Sequence, residues 1–411
     1  MANNFITNSV VKRYIVWFKY NATIYNTAYF CDSPYYKGQS VGESYQIRKN
    51  GQILSDRGYT SAVQNIVDRT FNVTVQEPFN VHTQINPAEF DRASGSADGS
   101  SRIDRIIKPA SNELVQKVEK ELIARMDDTV YHAVGTPGAA MDSWGAFTAA
   151  KVLMDDYQFP ATEKSYLALG PQARNEVAGA FVNNYNQKKT GVILNTGYIA
   201  EEMGGYNEIF ANTQMPFFSS VITNGTTCQT AAVIAEGAST IQLSGLGTYD
   251  GAIIPKGTCI EFDATQVRGV TDNQSETPRG FQCRVTADSA AIAAGAVTVT
   301  VTPEISLLGN VAKTPYANAS VVGGGTEIPT ARDVTLIGTY KCNYAYMSPG
   351  IALDPVSMGE MRGFPQAQHT EQGVYMTIVD WSSPNNWTAS TRISTQQAWG
   401  FDPRLLVLVR T

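Results

Sequence analysis

Catalysis needs a base, a nucleophile or a set of metal ligands, and the residue types that supply them are sparse in this chain. Three histidines occur, His82, His132 and His369. None stands in a His-Glu-x-x-His zinc pattern, and there is no Gly-x-Ser-x-Gly elbow to present a serine nucleophile. His132 follows a helical apolar stripe and reads as a helix-end residue. The five cysteines, Cys31, Cys228, Cys259, Cys283 and Cys342, include no pair at the close spacing of a zinc site or redox dithiol. Cys259 and Cys283 fall on neighbouring predicted strands and could touch; the simpler reading of all five is small buried apolar residues in a reducing compartment. Asp127-Asp128 and Asp155-Asp156 are adjacent pairs at helix ends. Successive helical positions diverge by about 100°, so neither pair makes a carboxylate dyad, and both read as solvated helix faces. Gly323-Gly-Gly325 lacks the Lys-Ser/Thr and helix start of a phosphate loop and reads as a flexible link. No catalytic, cofactor or metal site emerges, and the chain reads as a non-enzyme.

The elements that would have to position any site are more informative. Arg69 to Ile85 reads as extended, because Phe71, Val73 and Val75 alternate with polar residues. After a polar Gly/Ser loop, Ala93 to Ser101, comes a helix from Arg102 to Tyr131 with Leu114, Val115, Val118, Leu122, Met126 and Val130 as its apolar stripe. Some thirty residues make a helix roughly 45 Å long. Pro109 has no N–H for Arg105 and crowds its carbonyl, which predicts a kink or restart there. Upstream, Ser44 to Lys49 alternates and Asn50-Gly51 is a strong turn signal, so residues 41–77 read as a hairpin with a charged tip: Arg48, Lys49, Asp56 and Arg57. Residues 1–40, with Trp17 and six tyrosines but no clean period, read as an arm packed on something else. Gly38, Gly42, Gly51 and Gly58 supply hinges to arm and hairpin.

Downstream, Asp142 caps a predicted helix from Ser143 to Tyr157, with Trp144, Phe147, Val152, Leu153 and Met154 available to its buried side. Ser165 to Leu169 reads as a strand, and Pro171 opens another helix to about Asn186. From Ile222 to about Val334 no helix is convincing. Short strands appear instead at Thr240–Leu243, Cys259–Phe262, Phe281–Val285 and Val297–Thr302, the pattern of a small all-β barrel. Strands resume from Thr335. No internal repeat is visible.

Composition sets outer bounds. A chain of 411 residues holds two or three domains. Its longest apolar runs are too short to cross a bilayer, and its N-terminus is not a secretory signal, so a soluble protein made in a cytoplasm is expected. The net charge of −6 argues against a dedicated nucleic-acid binder. The first twenty residues carry Lys12, Arg13 and Lys19 and no acid. Residues through 110 sum to +3 and the remainder to −9, an asymmetry that suits subunits meeting head to tail.

The succession of hairpin, extended strand and long helix with Ile107-Lys108-Pro109-Ala110 resembles the major capsid (coat) proteins of tailed bacteriophages. Asp142-Ser-Trp144, Tyr166-Leu-Ala-Leu-Gly-Pro-Gln172, and Gly205-Tyr-Asn-Glu-Ile-Phe210 through Met215-Pro-Phe217 resemble steps in the coat proteins of one group of short-tailed phages, which carry an insertion (I) domain. Ile254-Pro-Lys-Gly-Thr-Cys-Ile-Glu-Phe262 resembles a strand entry of that domain, with Thr258 replacing an acid, and Tyr316-Ala-Asn318 resembles its exit. The resemblance spans nearly the whole chain. It implies an α+β capsid fold: N-terminal arm 1–40, E-loop hairpin 41–77, P-domain strand and spine helix 78–135, A-domain 136–221, inserted β-barrel 222–334, and the rest of the A-domain with C-terminal P-domain strands 335–411. It further implies a subunit of an icosahedral shell enclosing double-stranded DNA, held non-specifically, assembled in the host bacterial cytoplasm and resident in the virion. The expected partners are copies of itself in hexamers and pentamers, a portal protein at one vertex and a separate scaffolding protein, with no membrane and no cofactor; whether a decoration protein binds as well is left open. Arg48, Lys49, Asp56 and Arg57 are the candidate intersubunit contacts, and Lys12, Arg13 and Lys19 the candidate arm contacts. With the hairpin under way by Ser44, no room remains for a built-in scaffold segment, and no maturational cleavage of the N-terminus is expected. The alternatives are a β-rich tail or surface adhesin module of a virion and, more remotely, a two-domain hydrolase whose catalytic set is assembled from distant residues.

Overall fold

The computed structural model describes residues 2–31, 41–49, 69–85, 102–160, 162–182, 204–235, 237–270, 276–305, 318–321, 327–328, 331–356, 366–371, 374–383 and 388–411. Its contacts divide the chain into two units, one from Met1–Ile47, Phe71–Ile123 and Ile351–Phe401, the other from Arg48–Thr70, Ala124–Gly350 and Asp402–Thr411.

In the first unit, Ala2–Asn21 is a helix. Its buried positions Val11, Tyr14, Ile15 and Phe18 follow the 3, 4, 7 spacing of one helical face. No period is legible there because Val16 and Tyr20 put apolar side chains on the opposite, exposed face as well. A single helical turn, Ile24–Thr27, follows, and Glu119 of the long helix caps its start. Glu119 Oε1 accepts from the Thr23 backbone N–H at 2.5 Å, and its Oε2 from the Thr23 hydroxyl at 3.0 Å. The long helix, Arg102–Thr129, is continuous through Pro109 rather than restarted there. Leu114, Val115, Val118, Leu122, Met126 and Val130 are all buried, as the stripe requires.

The strand Thr388–Phe401 organises the first unit's sheet. Its first half lies between Val374–Ser383 and Phe79–Ile85, pairing Thr391 with Asp380 on one side and with Thr83 on the other. Its second half pairs with Ile351–Val356 and, at Ala398 and Trp399, with Val75 and Thr74 of Arg69–Val75. Fourteen extended residues reach roughly 46 Å, so one strand ties four others together. Ser44–Lys49 pairs with Arg69–Val75, and this two-stranded stem is all that the described residues show of the hairpin expected over 41–77. Tyr45 anchors that stem by donating from its hydroxyl to Asp354 Oδ2 at 2.6 Å.

The second unit contains a mixed sheet in the order His132–Val134, Leu406–Arg410, Tyr340–Met347, Ser165–Leu169, Glu208–Ala211, with Phe217–Phe218 added beside Tyr340. Alternation decides its faces. Val134, Leu167, Leu169, Ala345, Met347, Val407 and Val409 share a core with the helices Trp144–Asp156 and Pro171–Val182. Tyr166 and Tyr346 stack on the other face, ring centroids 5.6 Å apart. The helix Trp144–Asp156 is capped by Ser143, whose hydroxyl accepts from the Ala146 N–H, and not by Asp142. Phe147, Leu153 and Met154 are buried as expected, whereas Trp144 and Val152 are exposed.

Six strands close into a barrel: Thr226–Thr230, Ala238–Ser244, Val297–Ile305, Gln282–Val285, Cys259–Phe262 and Asp333–Ile337. Val297, Val299, Val301 and Ile305 point inward while Thr298 and Thr300 face out, joining Ile241, Leu243, Ile260, Phe262, Cys283 and Leu336 in one core. The first and last barrel strands are neighbours, with Asp333 opposite Gln229. Where the chain enters and leaves, the Ser220 N–H donates to Thr339 Oγ1 at 3.2 Å and the Thr339 hydroxyl donates back to the Ser220 carbonyl at 3.1 Å.

Candidate functional site: a polar seam beneath the barrel

The residues singled out from sequence fall as follows. Lys12 and Arg13 are exposed on the first helix, and Lys19 is half-buried near its end. Arg48 is exposed on the hairpin stem and Lys49 ends the same strand. Asp56 and Arg57 lie outside the described residues, as does Gly323-Gly-Gly325. Pro109 is exposed within the long helix. Beside it, Lys108 Nζ stands 4.3 Å from the ring centroid of Trp17, a cation–π contact between the long helix and the helix Ala2–Asn21. Lys12 and Lys19, seven positions apart, share a helix side; the hairpin cations share only their own strand.

His82 is exposed. His132 is not a helix-end residue: it opens the short strand His132–Val134, fully buried between the rings of Tyr131 and Tyr157, with centroids 4.4 and 4.3 Å away. Burial pushes its pKa down to about 3, so it is neutral and poorly suited to proton exchange at physiological pH. All five cysteines are free. Cys259 lies opposite Arg284, and Ile260 opposite Cys283. The two cysteines therefore project from opposite faces of the barrel wall, which is why neighbouring strands do not bring their sulfurs together. Burial pushes the Cys31 and Cys228 thiols up to about 12 and Cys283 higher still, far from the thiolate a nucleophile needs. Among the described residues no three of His, Cys, Asp and Glu are placed to hold a metal ion. No helix there is long and apolar enough to cross a membrane.

What the structure does assemble is a polar seam within the second unit, built from the aspartates that sequence reading places on solvated faces. Arg284 on the barrel wall is almost wholly buried, its side chain 3% exposed. Its Nη2 donates to Asp127 Oδ2 at 2.7 Å and its Nε to the Gly257 carbonyl at 3.1 Å. Its Nη1 donates to the carbonyls of Asp127 and Val130, at the end of the long helix. Those carbonyls have no partner within the helix, and a guanidinium there also meets the negative end of the helix dipole. Burial disfavours the charge on Arg284, but the Asp127 carboxylate beside it raises its pKa above the ordinary value. The Tyr344 hydroxyl donates to Asp127 Oδ1, completing that carboxylate.

Four further links flank this one. Lys256 Nζ meets Asp128 Oδ1 at 2.7 Å, and Arg279 Nε meets Asp156 Oδ2 at 2.7 Å. The Gln282 side chain accepts from the Ala133 N–H at 3.0 Å and donates to its carbonyl at 2.7 Å, in the manner of a strand neighbour. Arg410 Nη2 meets Glu261 Oε1 at 2.7 Å. Asp127, Asp128 and Asp156 are thus pairing groups, and only Asp155, which meets Lys151 at 3.4 Å, stays on its own helix. Sequence offered no signal for the partners, since Arg284 and Arg279 lie 157 and 123 positions from their aspartates. The arrangement holds no reactive group in an open cleft. It fixes a β-barrel to a helix end and a sheet.

No protein-family model matches the chain, and no curated protein matches it. Solved structures do. The chain is similar to the capsid of the cyanophage P-SCSP1u at 9% identity and a TM-score of 0.40, covering 94% of this chain and 87% of the other. It is similar to the mature capsid of bacteriophage PhiM1 at 10% identity and a TM-score of 0.36, covering 94% and 86%. It is also similar to a virus-like particle from Pyrococcus furiosus at 8% identity and a TM-score of 0.36, covering 98% of both chains. Likeness this distant leaves function to be argued from the chain's own features.

Proposed function

We propose that the chain is a structural subunit of a tailed-phage capsid, of the type whose A-domain carries an inserted β-barrel, and that its activity is self-association into an icosahedral shell around double-stranded DNA. The carrying observation is the order of parts. Most of a hairpin stem, residues 102–123 of a 28-residue helix and long returning strands fall in one unit; the last turns of that helix and an α/β sheet interrupted by a barrel fall in the other. A helix roughly 42 Å long and a hairpin beginning some twenty residues before its return strand exceed what a self-contained enzyme needs, and suit a subunit that lies on its neighbours. The chemistry of the polar groups supports the same reading, since the buried histidine and thiols are held in unreactive forms.

In this reading the same chain occupies rings of five and six through heterologous contacts closed by symmetry. The arm cations Lys12, Arg13 and Lys19 and the hairpin cations Arg48, Lys49 and Arg57 meet neighbours or a scaffolding protein, and a portal protein occupies one vertex. The tail or adhesin alternative is less well supported, because a barrel tied down by a buried arginine and four further polar links is poorly suited to act as a free receptor-binding head. Sedimentation and electron microscopy of the purified protein, alone and with the phage's other head proteins, test the proposal. Closed shells are expected; a persistent monomer or small oligomer under all conditions overturns it.

A further inference from the structure

The hairpin stem meets the first unit's sheet over a short stretch. Its return strand, Arg69–Val75, joins the long strand Thr388–Phe401 through two register pairs, Val75 with Ala398 and Thr74 with Trp399. Among the described residues the outgoing strand, Ser44–Lys49, pairs with the return strand and with no other. The chain enters that outgoing strand through Gly42, whose φ of +85° and open surroundings offer a point of rotation. From Val41 to Arg48 only Tyr45 is buried, while Gln46 and Arg48 alternate to the exposed side. The Tyr45 ring packs with Val73, Val75, Ala352, Val356 and Ala398. Its hydroxyl donates to Asp354 Oδ2 at 2.6 Å, the short distance of a bond to a charged acceptor.

Asp354 is a firm anchor. It is buried on the strand Ile351–Val356, opposite Ala398, the residue that Val75 meets from the other side. Ala352 and Ala398 keep that face low enough for the ring to reach the carboxylate. The segment after the first helix arrives at the same place: the Cys31 N–H donates to the Leu353 carbonyl at 2.7 Å. Burial raises the pKa of Tyr25 and Cys31, and the Asp354 charge adds to it. Apolar packing is non-directional and tolerates a tilted stem; a hydrogen bond to one carboxylate oxygen does not. We propose that Tyr45 and Asp354 are positioning residues for self-association. Their bond holds the stem at one angle to the sheet, and so sets the direction in which Arg48 and the rest of the hairpin meet a neighbouring copy.

This inference rests on the shell-subunit reading and gives its hairpin a fulcrum. Tyr45→Phe keeps the ring and removes the bond, whereas Asp354→Asn keeps an acceptor for the hydroxyl. Losing a bond to a charged acceptor shifts the balance between a seated and a swung stem by about tenfold. In the soluble full-length subunit, hydrogen exchange at the Gly42 and Val75 amides should quicken by about that factor in Tyr45→Phe. The amides of Thr388–Phe401 should not change, and Asp354→Asn should stay near wild type. In assembly, Tyr45→Phe should give shells of mixed diameter or open sheets. Ser143→Ala, which weakens a helix cap away from the hairpin, should give uniform shells. Uniform shells from Tyr45→Phe, or unchanged exchange in its stem, overturn the positioning role and leave the subunit reading intact. Mixed diameters from Ser143→Ala as well overturn it too, because lost stability then explains the defect. So does a Tyr45→Phe chain that fails to fold, since the pair then supports the whole fold. Quickened exchange with no shells from wild type under any condition overturns the subunit reading, and the role in self-association with it.

Discussion

Arg284 Nη2 and Asp127 Oδ2, 157 positions apart in sequence, meet at 2.7 Å under the barrel wall. The same guanidinium closes the carbonyl end of the long helix. Replacing Arg284 strands a mostly buried carboxylate and uncaps that end. Arg284→Met is expected to cost about 3 kcal/mol, the scale on which breaking one side of a buried pair is felt. Urea unfolding measures it. Arg284→Lys should recover little, since an ammonium cannot span two carbonyls and a carboxylate together.

The cap at the start of Trp144–Asp156 gives a prediction with an internal control. Ser143→Ala removes the acceptor for the Ala146 N–H and should lower stability by about 1 kcal/mol. Asp142→Ala, one position earlier, should leave the thermal midpoint almost unchanged. Equal losses for both variants contradict the assignment of the cap.

His132 predicts how stability depends on pH. Its folded pKa, pushed by burial to about 3, lies below the unfolded value of about 6.5. Below that value the unfolded chain takes up a proton that the folded chain refuses. The contribution is therefore complete above pH 6.5 and is lost as pH falls towards 3. Between pH 6.5 and 5 the loss should be about 2 kcal/mol. His132→Phe, judged by urea midpoints at the two pH values, should flatten that limb; a limb as steep as wild type's assigns the titration elsewhere.

Gly135 follows the strand His132–Val134 with φ +98°, and a Cβ there would stand 2.2 Å from the Arg410 carbonyl oxygen. Gly135→Ala combines left-handed strain with that clash and should cost roughly 1–3 kcal/mol. Gly138, with φ +79° but open space around a Cβ, isolates the conformational part when substituted in parallel.

Much of the architecture was legible where one face is wet and the other dry. Val297 to Thr302 alternates Val and Thr because the barrel interior excludes water and its exterior does not, and strands and helix stripe alike announce themselves by such contrast. The N-terminal helix was hidden because the contrast fails there: Val16 and Tyr20 are apolar and exposed. The seam was hidden for a different reason. An aspartate beside an aspartate at a helix end looks solvated until the fold brings Arg284, Lys256 and Arg279 onto it, and no local period encodes a partner so distant in sequence. The cysteines were misleading in the opposite direction, since adjacency of their strands was legible and the facing of their side chains was not.

The paired threonine and serine at the barrel's threshold carry a last consequence. Because Ser220 and Thr339 already touch, the chain leaves the sheet and returns to it at one point. A shorter loop with adjacent ends could therefore bridge these two residues without re-threading the sheet, although it would leave Asp127 and the helix-end carbonyls without Arg284. The same doorway is where a guest protein with adjacent ends could be mounted while the sheet keeps its strand order.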